Sequence, residues 1–131
     1  MFLKSIRCNK GQALVEIALA LPLLIILSLG VLEAGRVIHT YLIVGQAARE
    51  GARIASLRAD DLEIVTKVKG ELFSLGAETA AVHVLPSEVE RQPGRSVTVQ
   101  IDYPLSIYAP VLNGFLPNPF IVQAETTMRI E

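Results

Sequence analysis

Gln12 through Leu32 is an apolar run interrupted by one charged side chain, Glu16, and from Ile17 to Leu32 it holds 16 residues without a charge. Extended back to Gln12 the run has 21 residues, beyond the ~20 that a bilayer's hydrocarbon core requires of a helix. It predicts a transmembrane helix. The helical pattern continues past the run, because Val37, Ile38, Tyr41, Leu42, Gly45, Ala48, Ala52 and Ala55 recur at spacings of three and four and mark one apolar face. Arg36, Arg49, Glu50, Arg53 and Arg58 fall on other positions. One helix over residues 12–58 is therefore expected, ~70 Å long, with its first half in lipid and its second half projecting beyond. Pro22 removes the hydrogen bond to the Ala18 carbonyl and is the predicted helix kink, which membrane helices tolerate. Gly30, Gly35, Gly45 and Gly51 each weaken the helix by ~1 kcal/mol relative to alanine, so it needs packing neighbours.

Ala59, Asp60 and Asp61 break this pattern, and an aspartate N-cap predicts a short second helix with Leu62, Val65, Val68, Leu72 and Leu75 on its apolar face. Gly76 suits its C-terminal cap. From Thr79 the period becomes two: Ala80, Val82 and Val84, then Val97, Val99, Ile101 and Tyr103, then Val122, Ala124, Thr126, Met128 and Ile130. The polar opposite faces predict a half-solvated, three-stranded antiparallel sheet. Pro93 and Gly94 mark the first connection between strands. The second, residues 104–119, is long and apolar, with Ile107, Tyr108, Val111, Leu112, Phe115 and Leu116. A flap over the sheet or helix is the simpler expectation for it and an exposed partner surface the alternative. The fold class is α+β: a long N-terminal transmembrane helix continuing outward, a short second helix and a small antiparallel sheet. The expected divisions are a basic leader over 1–11, a transmembrane helix over 12–33, its extramembrane continuation over 34–58 and a small α+β domain over 59–131.

Composition sharpens this picture. The 131 residues have a mean hydropathy of +0.46 and a formal net charge of −1, which gives no reason to expect a nucleic-acid partner. Lys4, Arg7 and Lys10 precede the apolar run and place the leader in the cytoplasm, with the domain on the far side of the membrane. Cys8 has no partner cysteine in the chain. His39 and His83 stand alone, without zinc-ligand spacing, and neither phosphate-binding glycine loops nor a G-x-S-x-G nucleophile frame occurs. The acidic group Asp60, Asp61 and Glu63 sits at a helix start, where it complements the helix dipole. No enzymatic activity, cofactor, metal or small-molecule substrate is expected.

The stretch "QAAREGARIA", residues 46–55, is more specific. Ala47, Gly51 and Ala55 form a small-xxx-small ladder, as do Ala48 and Ala52, and such ladders let another backbone approach closely. Its partner is either this chain's own sheet or a neighbouring subunit. Glu50 and Arg53 are spaced to pair, while Arg49 and Arg53 repel.

Glu16 needs a counter-charge, since a carboxylate costs about 2.5 to 3.5 kcal/mol at the bilayer centre and less near an edge. A cut after Gly11 creates one: the α-amine of Gln12, with a pKa of about 7.7 to 8.0, lies one helical turn from Glu16 and can pair with it within a chain or between chains. A basic leader ending in Gly11, with Glu16 at the fifth position after it and a hydrophobic helix following, resembles the type IV prepilin signal. "ALVEIALALPLLI", "LEAGRVIHTY" and "QAAREGARIA" resemble, in order, stretches of the TadE-like minor pseudopilins of Tad (Flp) pilus systems, and the terminal "AETTMRIE" is similar to the end of such a domain. The resemblance implies leader removal between Gly11 and Gln12 by a membrane aspartyl prepilin peptidase. It implies Glu16 as the residue read by the peptidase and in assembly, and as partners the membrane, other pilin and pseudopilin subunits and the Tad secretion machinery. It places the chain in a bacterial cytoplasmic membrane, N-terminus inside and domain periplasmic or extracellular, with incorporation in a pilus as a further expectation. One departure is Ile17, where relatives often carry an aromatic residue. Removing residues 1–11 leaves 9 basic against 13 acidic residues, net −4, and no cysteine, so the mature fold does not depend on disulfides.

Two other readings compete. A permanently anchored single-pass protein binds an envelope partner through its outer domain without leader processing. A secreted domain behind an ordinary signal peptide needs a cut near Ala34, which the continuing helical pattern opposes.

Overall fold

The computed structural model describes residues 9–131, apart from Val111 and the side chains of Asn9 and Lys10. Residues 1–8 of the expected leader, including Lys4, Arg7 and Cys8, lie outside the described residues. The chain is α+β: a long helix α1 (Asn9–Ser56), a short helix α2 (Asp61–Glu71) and strands β1 (Ala81–Leu85), β2 (Ser96–Leu105) and β3 (Phe120–Arg129). The strands form one antiparallel sheet in the order β1-β2-β3. α1 lies across β2 and β3, and α2 packs against α1 and the β1 edge.

α1 remains helical through Pro22. It ends two residues before the expected Arg58, and the reason lies in its cap. Arg58 adopts a left-handed backbone with φ 66°. Its N–H donates to the Ala55 carbonyl at 3.1 Å, and the Ala59 N–H donates to the Ile54 carbonyl at 3.2 Å. That pair of bonds is a Schellman closure, which satisfies carbonyls the helix end leaves open.

The core is built on small residues. Val44, Ala47, Ala48, Gly51, Ala52 and Ala55 follow one another at helical spacing and are all buried. Opposite them lie Ile64 and Val68 of α2, Leu72 at its C-terminal cap, and Val97, Val99, Ile101 and Tyr103 of β2. A large side chain is buried at each of these opposing positions, each contributing roughly 1.5–3 kcal/mol, because the helix contributes little volume of its own. At the chain's end the Glu131 N–H donates to the Ser56 carbonyl at 3.0 Å, so α1 and β3 run side by side in the same direction.

The structure corrects three expectations. The single apolar stripe expected along α1 divides: Ile38, Tyr41 and Leu42 are exposed, lining shallow grooves beside β3, while Thr40 and Val44 are buried and Val37 is half-buried. On α2, Leu62 is 79% exposed, and Ile64 takes the place expected for it at the front of the Val68 and Leu72 row. The steps Leu62 to Val65 to Val68 are two successive threes, which turn the helix face back by about 120°, whereas the step of four from Ile64 to Val68 advances it by only about 40°. Gly76, left-handed at φ 88°, caps not α2 but the 3-10 turn Phe73–Leu75 that follows it. Asp60 is the N-cap of α2 by backbone, without a side-chain bond.

The outer sheet face is polar, in keeping with a half-solvated sheet. The hydroxyls of Thr98 and Thr127 pair across β2 and β3 at 2.8 Å, and Asp102 accepts hydrogen bonds from Gln100 at 3.2 Å and Gln123 at 2.8 Å. The inner end of β2 is tied to the turn after α2, where the Tyr103 hydroxyl donates to the Leu75 carbonyl.

The candidate assembly surface along the long helix

Gly11 through Leu29 is exposed at every position, so the rest of the chain leaves the apolar half of α1 uncovered. An apolar helix this long is stable in water only when covered, and its length and composition suffice to cross a membrane. Lack of cover sets it apart from the core helix of a water-soluble domain. Length, apolarity and exposure together fit a membrane anchor. Ser28 is the one hydroxyl in its apolar stretch past Glu16, and it donates to the Leu24 carbonyl at 2.8 Å, which removes its need for water.

Glu16 stands on this bare surface. Among the described residues no basic side chain lies within ion-pair distance of it. Gly11 and Gln12 both lie inside α1, and Gln12 is one turn from Glu16, about 6 Å along the axis. Glu16 thus has no counter-charge among the described residues.

Where α1 leaves the uncharged run, a polar cluster fastens it to the β2–β3 connection. Glu33 is only 6% exposed, and both its oxygens accept from Arg36 Nη1, at 2.9 and 3.1 Å. Arg36 Nη2 donates to the Ser106 carbonyl at 3.2 Å, and its guanidinium carbon sits 4.7 Å from the centre of the Tyr108 ring. The residues on either side of Tyr108, Ile107 and Ala109, are buried. Asn118 closes the base of the connection: its side chain accepts from the Ile107 N–H at 3.2 Å and donates to the Ile107 carbonyl at 3.3 Å. The connection lies against α1 at Ala109, as a flap does, and leaves Phe115 exposed. Sequence reasoning missed the Glu33 and Arg36 pair, although opposite charges three apart at the end of a 16-residue uncharged run are a readable signal.

The small-residue ladder faces inward. Ala47, Ala48, Gly51, Ala52 and Ala55 are all buried within this chain. A Cβ on Gly51 would lie 2.6 Å from Val68 Cγ2 and 3.2 Å from Val99 Cγ1, so the ladder's partners are α2 and the sheet of the same molecule. What α1 offers to other molecules is the apolar half with Glu16 and, above it, Ile38, Tyr41 and Leu42. Outside the ladder, Glu50 and Arg53 pair as their spacing predicts, at 2.8 Å, and this hydrogen-bonded pairing holds the Glu50 carboxyl below the usual range. A second unforeseen residue, Arg91, lies buried in the β1–β2 connection. It donates to the carbonyls of Ala59 at 2.8 Å and Pro86 at 3.3 Å and pairs with Asp61, and burial pushes its guanidinium pKa down. His39 and His83 are both exposed. Among the described residues no group of three His, Cys, Asp or Glu is placed to hold a metal ion.

Residues 11–53 match the family model described as TadE-like protein. The resemblance read from the sequence is borne out over that stretch, which is almost the whole of α1 and excludes the sheet. No curated protein and no solved structure matches the chain.

Proposed function

We propose that this chain is a membrane-inserted minor pseudopilin that acts structurally in the assembly of a Tad-type pilus and carries no enzymatic activity. The TadE-like match over 11–53 and the uncovered apolar half of α1 support a membrane-anchored component of such a pilus system. The observation that carries the finer reading is Glu16. A carboxylate on a bare apolar helix face is unfavourable in lipid unless it is paired, and its position one turn after Gln12 lets a newly made amine pair with it. Cutting between Gly11 and Gln12 by a prepilin peptidase makes that amine in every processed chain. In this reading the N-terminus starts in the cytoplasm, the α+β domain lies beyond the membrane, and neighbouring pilin-type subunits pack against the bare face of α1.

Glu16→Gln tests the proposal in cells. The expected result is loss of the chain from sheared filaments and loss of assembly, while the outer domain keeps its resistance to protease. Unchanged assembly contradicts it and favours a permanently anchored protein, a reading to which Ile17, in place of the aromatic residue frequent in relatives, lends support.

A further inference from the structure

We propose that the β2–β3 connection is a second membrane contact, in which Ala109, Pro110 and residues Leu112 to Leu116 enter the leaflet on the domain's side and lipid acyl chains fill the groove between them and α1. The proposal rests on the membrane-anchor reading of α1. From Tyr103 to Ala124 the sequence has 22 residues without a charge, the second such run in the chain after the span itself. The structure brings the two runs together. Ala109, Pro110 and Leu112 form one wall of a groove of about 420 Å³, and Ile26, Leu27, Leu29, Gly30, Val31 and Ala34 form the other. Ile26 lies about 10 Å below Glu33 along the helix, within the ~15 Å half-thickness of a hydrocarbon core. If α1 spans, the connection is at hydrocarbon depth beside it.

The local chemistry suits that position. Backbone that enters lipid must satisfy its own polar groups, and this segment pairs several of them within itself. The N–H groups of Leu112 and Asn113 donate to the Ala109 carbonyl at 3.0 and 3.2 Å, and those of Phe115 and Leu116 donate to the Leu112 carbonyl at 3.0 and 2.9 Å. The Asn113 side chain accepts from Asn118 at 3.3 Å. Phe115 is 83% exposed to no purpose in water, and Tyr108, 73% exposed beside Arg36, stands where aromatic residues gather at the membrane boundary. The cluster of Glu33, Arg36 and Ser106 sets the height of the connection against the helix. The groove's lining is apolar on both walls, so beside a span acyl chains fill it unless a protein displaces them.

The chain has no tryptophan, so a single introduced indole reports its own surroundings. Phe115→Trp and, as a separate variant, Leu24→Trp are placed in the full chain, both at exposed positions, and reconstituted in phosphatidylcholine vesicles carrying brominated acyl chains. The expected result is loss of fluorescence in both variants, with blue-shifted emission, the Phe115→Trp variant responding more to bromines near the headgroup end. Quenching of the Leu24→Trp variant alone overturns the proposal and leaves the anchor standing, whether the Phe115→Trp indole proves open to aqueous acrylamide or shielded by a neighbouring protein. Quenching of neither variant overturns the anchor and this proposal together.

Discussion

Gly51→Ala adds one methyl group where, among the glycines described, a side chain would meet its neighbours most closely. The new Cβ meets Val68 Cγ2 at 2.6 Å and Val99 Cγ1 at 3.2 Å, where carbon contacts settle near 3.5–4.0 Å. Either α2 moves away from α1 by about 1 Å or Val68 leaves its rotamer, and overpacking of this kind costs typically 1–3 kcal/mol. The alanine also returns ~1 kcal/mol of helix propensity. Set against that gain, a net loss of up to about 2 kcal/mol is expected. For a domain of this size that lowers Tm by up to roughly 16 °C. Gly70→Ala serves as the control, since a Cβ there meets nothing within 4 Å, and it should leave Tm unchanged or raise it. The assay is thermal unfolding of the detergent-solubilised full chain, followed by near-ultraviolet circular dichroism, to which the buried ring of Tyr103 contributes. Adding Val68→Ala to Gly51→Ala removes the offending methyls, and the two substitutions should couple favourably by about 1–2 kcal/mol. A Gly51→Ala variant as stable as Gly70→Ala, with no coupling to Val68, would refute the close approach of α1 and α2.

Three further outcomes follow from the same geometry. Ile64→Ala should destabilise the domain by about 2–5 kcal/mol while Leu62→Ala changes little, and urea titration of the two variants checks which residue fronts the α2 face. Arg91→Ala leaves two carbonyls and Asp61 without their donor, and because the Asp61 side chain is 45% exposed the expected loss is nearer the ordinary 1–3 kcal/mol of a broken hydrogen-bond network than that of a stranded buried charge; Arg91→Lys should recover only part of it. Glu50 should titrate below the ordinary ~4.3 of a glutamate, and Arg53→Gln should return its midpoint upward in an NMR titration. Because the folded pKa is lowered, the pair's contribution is present above the ordinary carboxylate pKa and fades as pH falls through the lowered one.

Much of this fold is readable along the chain because its elements follow simple periods. The three strands sit where alternation places them, and the small residues from Ala47 to Ala55 announce a close helix contact. What the sequence leaves open there is the partner, because a small face fits its own sheet and a foreign helix equally well, and only the positions of Val68 and Val99 decide. The exposure of Ile38, Tyr41 and Leu42, on the same apolar stripe as the buried alanines, has a different origin. In a helix that passes from lipid into a domain, apolar side chains mark both the lipid-facing and the core-facing surface, so one apolar pattern overlays the other at the boundary. Glu33 and Arg91 were missed because each is buried by segments distant in sequence, Ser106 and Tyr108 for the Glu33–Arg36 pair, Ala59 and Pro86 for Arg91. Glu16 was legible from the start, as one charge where an apolar run should have none.

The bond between Gly11 and Gln12 is the most direct test of the account. N-terminal sequencing of the chain purified from cells with and without the prepilin peptidase should give Gln12 as the first residue in the former and the intact leader in the latter. A chain that retains residues before Gln12 in both contradicts the pseudopilin reading and leaves Glu16 without the amine proposed to pair with it.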